Sequence, residues 1–442
     1  MKLFGTDGLR GRAGEFPLDP PSVRRLGEEL GRRLAARGAG RVVVGGDTRE
    51  STPWILGALA AGLRESTCGV AAAGVITTPG IAELVLELGA SAGVAVSASH
   101  NPYEDNGIKI FGSDARKWPD EEEETLERHL LDGRDAPDAF DGCAPPAEDP
   151  GLLATYLSRL TVGAPNDLSG LPILMDAGNG AAYRIGPRAF RRAGARVTAI
   201  HDAPDGRNIN HECGALHPAE MARATRESGA ALGVAFDGDA DRSIFADETG
   251  RVLDGDDILW IVARAWKHGG ALTAGGVVGT VMSNFGLEEA LAREGIAFRR
   301  AAVGDRNVAR LMDDSGAVLG GETSGHTILA PLSPAGDGIL TALVLATIVQ
   351  TSGRRLSELA TLVKVPQTLR NVRVAQRAPV EQTASLRGAL RKAEEALHGR
   401  GRVFLRYSGT EPLLRILVEG PEAGEVKAIA DELEAVARAE LT

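Results

Sequence analysis

Three carboxylates alternate with small residues in Asp237-Gly238-Asp239-Ala240-Asp241-Arg242, directly after the apolar run Ala231 to Phe236. Alternate side chains of an extended segment point the same way, so this spacing predicts three acids converging on one small volume. Their mutual repulsion demands a cation, and hard oxygen ligands favour Mg²⁺ or Ca²⁺. A calcium loop of the EF-hand kind has Glu248 at its twelfth position in its favour. Arg242, however, stands where that loop needs glycine, and the flank reads as strand. An acidic solvated turn is the plain alternative. Arg242 is placed to touch an anion that the metal also touches.

Ser99, in Ser97-Ala98-Ser99-His100-Asn101-Pro102, stands at the end of a second strand-like run. A Ser-His-Asp hydrolase would need a base beside it. Adjacent side chains on an extended chain diverge, so His100 is not expected to serve, and the G-x-S-x-G turn is absent. With a trianionic loop elsewhere in the chain, the chemistry expected of Ser99 is to carry a phosphoryl group beside a divalent ion. Lys109, in the strand-like Gly107 to Phe111, is a candidate to neutralise charge or move a proton there. Gly321-Glu322-Thr323-Ser324-Gly325-His326 offers Glu322 and Ser324 for vicinal sugar hydroxyls, and His326 as acid or base. Arg406 and Arg415 flank Ser408, Gly409 and Thr410, whose hydroxyls and N–H groups make a nest suited to phosphate. A carrier, a metal loop, a hydroxyl grip and a phosphate anchor together describe a mutase that shifts phosphate between two ends of a sugar. A metal-dependent phosphatase and an inactive sugar-phosphate-binding regulator are the readings from other classes; the second has no use for a phosphoryl carrier.

The elements that must position these loops alternate between strand and helix, which predicts α/β architecture. Val23, Leu26, Leu30 and Leu34 recur at helical spacing, with Gly38 as a stop. Residues 41–51, 171–180 and 275–284 share one strand–loop–helix opening, so three similar mixed α/β domains are expected around a central cleft. A smaller α+β domain closes the chain: strand, polar helix, strand, strand, helix. The Pro- and Asp-rich stretch 135–150 and the segment 363–367 read as linkers. The expected bounds are 1–150 with the serine loop, 151–252 with the metal loop, 253–366 with the sugar loop and 367–442 with the phosphate loop.

With 442 residues, 43% of them hydrophobic and 25% charged, the chain sits in the soluble globular class. Its net charge of −11 and 4% aromatic content argue against nucleic-acid and membrane-surface partners, which require basic patches and stacking platforms. Cys68, Cys143 and Cys213 form no CxxC pair, which fits a reducing, cytoplasmic setting without structural zinc. No secretory signal is read at the start, and the apolar stretch Ile339 to Val349 is too short to span a bilayer and reads as a buried helix.

FGTDGLRG at 4–11, SASHNP at 97–102, DGDADR at 237–242, GETSGH at 321–326 and RYSGTEPLLR at 406–415 together resemble the α-D-phosphohexomutase superfamily over essentially the whole chain. Within it the chain is most similar to the bacterial phosphoglucosamine mutase branch, which VGDRNV at 303–308 also resembles. The resemblance implies four domains around a cleft, one Mg²⁺ per chain, and a hexose or hexosamine 1,6-bisphosphate as intermediate and activator. It implies a small phosphosugar as the partner, in a monomer or homodimer. It makes Ser99 the active-site phosphoserine and a metal ligand with Asp237, Asp239 and Asp241. It places Glu322 and Ser324 on sugar hydroxyls, and Arg406, Ser408, Gly409, Thr410 and Arg415 on the distal phosphate. Arg10, Lys109, Arg242 and His326 fall near the reacting centre. Three departures stand out: Ala240 where the branch commonly has Gly, Tyr407 where Lys is frequent, and Thr323 where Gln is common.

Overall fold

The computed structural model describes the chain apart from residues 1, 6, 39, 134–139, 141–143, 164–166, 376–378, 380–382, 408–411 and 442. It divides into two compact units, Met1–Thr280 with Ala301–Thr361, and Val281–Arg300 with Leu362–Thr442.

In the first unit the short strands Phe4–Gly5 and Gly8–Arg12 precede the expected amphipathic helix, Pro20–Ala35. Val23, Leu26, Leu30 and Leu34 are all buried, and Asp19 caps the helix by accepting the Ser22 N–H at 3.0 Å. Prolines occupy its first turn, where a missing N–H costs nothing. This helix meets helix Thr52–Glu65 across glycines on both sides. A Cβ on Gly27 would lie 2.3 Å from the Leu59 carbonyl oxygen, and one on Gly62 would lie 2.0 Å from that of Arg24. Any side chain at either position pushes the helices apart.

Three sheets in this unit repeat one plan. Strand Arg41–Gly46 runs parallel to Gly69–Val75 and Ala92–Val96, and the chain returns antiparallel along Asp105–Gly112. Strand Pro172–Asp176 likewise runs parallel to Arg196–Ile200 and Leu232–Phe236, with an antiparallel return along Ser243–Asp247. Strand Val277–Thr280 runs parallel to Leu319–Gly321, which returns antiparallel along Thr327–Leu329. The openings anticipated at 41, 171 and 275 are therefore equivalent strands. The hairpin between last parallel strand and antiparallel return holds Ser99 in the first sheet, Asp237 to Arg242 in the second and Glu322 to His326 in the third. One topological position supplies all three chemical loops.

Helix Gly338–Ser352 is buried from Gly338 to Ala346 and again at Val349, as the apolar run predicts. Among the described residues, no helix is long and apolar enough to cross a membrane. Helix Pro150–Gly163 begins where the Pro- and Asp-rich stretch ends; much of that stretch lies outside the described residues.

The second unit carries the expected α+β tail. Leu413–Glu419 is the central strand, antiparallel to both Gln367–Arg373 and Arg402–Tyr407. Helices Ala384–Leu397 and Ala423–Leu441 cover it through Leu386, Leu397, Val426 and Leu433, packed on Val372, Ile416 and Val418. Helix Phe285–Arg293 belongs to this unit too: Glu419 Oε1 accepts the Phe285 N–H at 3.1 Å.

Candidate active site

The chain from Asp237 to Arg242 is a tight turn, not an extended segment. The Ala240 N–H donates to the Asp237 carbonyl at 3.1 Å, and Ala240 adopts φ 57°. The three acids do converge, with ligand oxygens all within 4.8 Å of one another and all three residues buried. The cause differs from the sequence argument: the chain wraps around the carboxylates, and no strand alternation is involved. Ala240 occupies a left-handed position that favours glycine, so this departure from the common pattern carries backbone strain.

Lys109 is the counter-charge. It is 1% exposed, an interior cation and not a solvated strand lysine. Its Nζ lies 2.8 Å from Asp239 Oδ2, 3.2 Å from Asp241 Oδ2 and 3.0 Å from Asp7 Oδ2. Burial disfavours its charge, but the three acids outweigh this and hold its pKa well above the usual lysine value. Burial and the Asp241 and Asp239 charges push Asp237 well above the carboxylate range, while Lys109, with help from His326, overcomes burial to hold Asp241 well below it. Of Asp239 and Asp241, Lys109 takes only the Oδ2 oxygens. Asp239 Oδ1 and Asp241 Oδ1 are moreover buried without a hydrogen-bond partner. Orphaned anionic oxygens converging within a few ångströms fit a hard divalent cation.

Ser99 is fully buried, and its Oγ donates to Asp237 Oδ2 at 2.5 Å. It too has positive φ, 53°. The extended-chain argument against His100 therefore fails in its premise: in this conformation Ser99 Oγ approaches His100 Nδ1 to 3.3 Å. His100 is nevertheless a poor base. Burial and the Arg242 and Arg10 charges lower its pKa to about 4, and Nδ1 also faces Arg242 Nη1 at 3.1 Å. The serine backbone is held from outside its own loop. Asn210 Nδ2 donates to the Ser99 carbonyl at 2.9 Å, and Arg49 Nη2 donates to the Ser99 and Asn101 carbonyls at 3.2 and 2.6 Å.

His326 comes to the acidic turn because Arg242 and His326 pair as an isolated bridge and the Ser243 N–H donates to the Gly325 carbonyl at 3.1 Å. Its Nδ1 lies 3.9 Å from Asp241 Oδ2. Burial opposes the imidazolium, yet Asp241 raises the pKa to about 9, so His326 is an acid at neutral pH. Arg10 pairs with Asp7 and donates to Asn101 Oδ1 at 3.1 Å. A cleft of about 300 Å³ is lined by Asp7, Gly8, Arg10, His100 and Arg242. A second cavity of about 380 Å³ reaches Asp241 and His326 and is otherwise lined by Lys117, Trp118 and Arg306, among others.

Glu322 and Ser324 do not form the side-by-side pair that alternate spacing suggests. The Gly325 N–H donates to the Glu322 carbonyl at 3.0 Å in a turn; Glu322 is buried with Oε1 on the Gly304 N–H at 2.9 Å, and Ser324 is exposed. Thr323 Oγ1 reaches Asp256 Oδ2 at 3.4 Å. In the second unit, Arg406 and Arg415 stand directly opposite each other on paired strands. Ser408, Gly409 and Thr410 lie outside the described residues.

Sequence reasoning passed over Asp7, Arg49, Thr78 and Asn210. Asp7 was within reach, three residues before Arg10 in the same turn motif. The others are joined to the site only by the fold: Thr78 Oγ1 donates to Asp239 Oδ2 at 2.5 Å across 161 positions. Asp176, His201 and Cys213 also bring three ligand atoms together. There the Gly178 and Gly214 N–H groups occupy both Asp176 oxygens at 2.8 and 2.9 Å, so the cluster ties one loop to another.

A buried serine on a turn of three acids, in a chain of three repeated α/β sheets and an α+β tail, defines a phosphohexomutase-type protein. The chain belongs to the phosphoglucomutase/phosphomannomutase family, matching its alpha/beta/alpha domain I at residues 1–136, domain II at 153–250, domain III at 254–365 and its C-terminal domain at 369–436. It is 45% identical to the phosphoglucosamine mutase of Solibacter usitatus, covering 99% of each chain. Among solved structures it is similar in fold to a phosphoglucomutase/phosphomannomutase family protein from Burkholderia thailandensis, with TM-score 0.83, 23% identity and coverage of 99% and 97%. It is also similar to the N-acetylphosphoglucosamine mutase of Aspergillus fumigatus in complex with GlcNAc-6P and magnesium, with TM-score 0.69, 18% identity and coverage of 100% and 96%.

Proposed function

We propose that the chain is a phosphoglucosamine mutase, an isomerase that interconverts glucosamine 6-phosphate and glucosamine 1-phosphate in amino-sugar metabolism. The observation that carries this is Ser99 Oγ seated on Asp237 of the acidic turn, in a chain 45% identical over its full length to a curated phosphoglucosamine mutase. Phospho-Ser99 gives its phosphoryl group to the free sugar hydroxyl: the P–Oγ bond breaks, a P–O bond to the sugar forms, and the sugar hydroxyl's proton passes, in net, to Ser99 Oγ. The product, glucosamine 1,6-bisphosphate, turns over in the cleft, and Ser99 takes back the other phosphoryl group. Asp237, Asp239 and Asp241, with an oxygen on Ser99, would hold one Mg²⁺, which when bound supplies neutralising charge at the transferring phosphoryl group. Lys109, held protonated by its acidic neighbours, acts as a charge partner, and His326, protonated at neutral pH, as a proton donor. Arg10 and Arg242 line the cleft as partners for phosphate oxygens. Glu322 and Ser324 contact the sugar, and Arg406, Ser408, Gly409, Thr410 and Arg415 take each distal phosphate in turn. The reaction is cytoplasmic, with free phosphosugars as its partners.

Intact-mass measurement tests the carrier. Wild-type protein is expected to carry one phosphoryl group that Ser99→Ala lacks, with mutase turnover lost in the variant; sustained isomerisation by Ser99→Ala would remove the serine from this role. The family also contains phosphomannomutases and phosphoglucomutases, and Thr323 alters the sugar loop. Turnover on glucosamine, glucose and mannose phosphates under one set of conditions decides between these substrates, with glucosamine expected to lead.

A further inference from the structure

Two helices begin against the acidic turn. Thr78, at the start of helix Thr78–Leu88, donates its N–H to the Asp239 carbonyl at 3.1 Å. Gly338, at the start of helix Gly338–Ser352, donates its N–H to the Ala240 carbonyl at 3.0 Å. The opening N–H groups of a helix have no partner within it, and that end favours negative charge. Consecutive carbonyls of one turn thus take an orphan donor from each helix. Gly338 comes this close because it lacks a side chain: a Cβ would stand 2.9 Å from the Ala240 and Arg242 carbonyl oxygens.

The residues that cap these two helices are joined by a single phenol. Thr77 caps the first helix by accepting the Gly80 N–H at 3.1 Å, and Asp337 caps the second by accepting the Leu340 N–H at 3.0 Å. Tyr156, on helix Pro150–Gly163, donates its hydroxyl to Asp337 Oδ2 at 2.6 Å and accepts from Thr77 Oγ1 at 3.0 Å. All three side chains are buried. A core tyrosine needs one partner to satisfy its hydroxyl. This one bridges two, and each stands one residue before the donor that grips the turn.

We propose that Tyr156 is a positioning residue for the acidic turn: by bridging Thr77 and Asp337 it fixes the spacing of the two helix ends that hold the Asp239 and Ala240 carbonyls, and so sets the turn's affinity for a divalent cation. The inference rests on the metal reading given above. Tyr156→Phe tests it, since the variant keeps the ring and removes only the bridging oxygen. In the full-length protein, the Mn²⁺ dissociation constant, read from the free-ion EPR signal, is expected to rise about three- to tenfold, the size of one lost net hydrogen bond. Hydrogen exchange across 237–242 in the metal-free protein accelerates, and turnover at saturating Mg²⁺ returns to near the wild-type rate. Thr77→Val, which breaks the other half of the bridge, shifts Mn²⁺ binding in the same direction. Leu157→Ala, buried on the same helix, serves as the control: it lowers Tm without moving the Mn²⁺ constant. Wild-type Mn²⁺ affinity in Tyr156→Phe, or equal weakening by Leu157→Ala, overturns the inference and leaves the metal reading standing. Failure of the wild-type protein to bind Mn²⁺ removes both.

Discussion

The acidic turn 237–242 and the strand pair 402–407 with 413–419 handle charge in opposite ways. In the turn, opposite charges meet in the interior: Lys109 among Asp7, Asp239 and Asp241, with helix ends on the backbone. In the strand pair, like charges face each other across one register position, Arg406 against Arg415. Burial, and then the Arg415 charge, lowers the Arg406 pKa. Like charges directly opposite destabilise a sheet, and an anion between them would relieve that repulsion. The first region carries its own counter-charge; the second sets two guanidinium groups against each other at one register position.

Removing the interior cation strikes hardest at this contrast. Lys109→Met leaves buried carboxylates without their counter-charge and is expected to lower stability by about 3–5 kcal/mol in EDTA. Mg²⁺ restores part of that loss. An unchanged melting curve in EDTA would mean that the acids tolerate one another by binding protons.

A pH series separates the regions next, because arginines do not titrate between pH 4 and 7 whereas Asp337 beside the turn does. Burial raises Asp337 to about 6, only partly offset by its bond from Tyr156. The fold therefore prefers its neutral form, so this group's contribution falls as pH rises from about 4 to 6 and is flat above. The difference is on the order of 3 kcal/mol. Urea melts of wild type and Asp337→Asn across that range should diverge with that sign; parallel curves would deny the raised pKa.

On the strand pair, Arg406→Ala is expected to raise KM for the sugar phosphate by about 10- to 100-fold, the size of a charge-assisted contact. Tm should hold or rise slightly as the like-charge pair disappears. A fall in kcat at constant KM would contradict an anchoring role. The smallest effect is expected at Ala240. Its φ of 57° is a glycine conformation, so Ala240→Gly should gain about 0.5–1 kcal/mol, the relieved strain less the added freedom of the unfolded chain. Destabilisation instead would show that the methyl group's packing outweighs the strain.

Much of this was legible in the chain as written. Helix Pro20–Ala35 follows from four apolar residues at helical spacing, and the α+β tail appears in its predicted order. The acidic hexapeptide declared its chemistry through residue type alone. What misled was backbone conformation. Ser99 and Ala240 both adopt left-handed φ, which no residue preference announces for serine or alanine. The turn therefore gathers its acids by wrapping, and His100 approaches Ser99 where an extended chain would keep it away. Glu322 and Ser324 part company because the chain between them turns, closed by the Gly325 N–H on the Glu322 carbonyl.

By itself the amino-acid order determined which segments form strands, which loops carry acids, hydroxyls or guanidinium groups, and hence the class of reaction. These follow from local periodicity and from side-chain chemistry, properties that a short stretch possesses alone. Only the tertiary structure decided that Ser99 meets Asp237 across 138 positions, that Lys109 is an interior cation, and that Tyr156 joins two helix ends at the turn. Such contacts depend on how separate sheets and helices bury their apolar faces together, and that packing selects neighbours without regard to their distance along the chain.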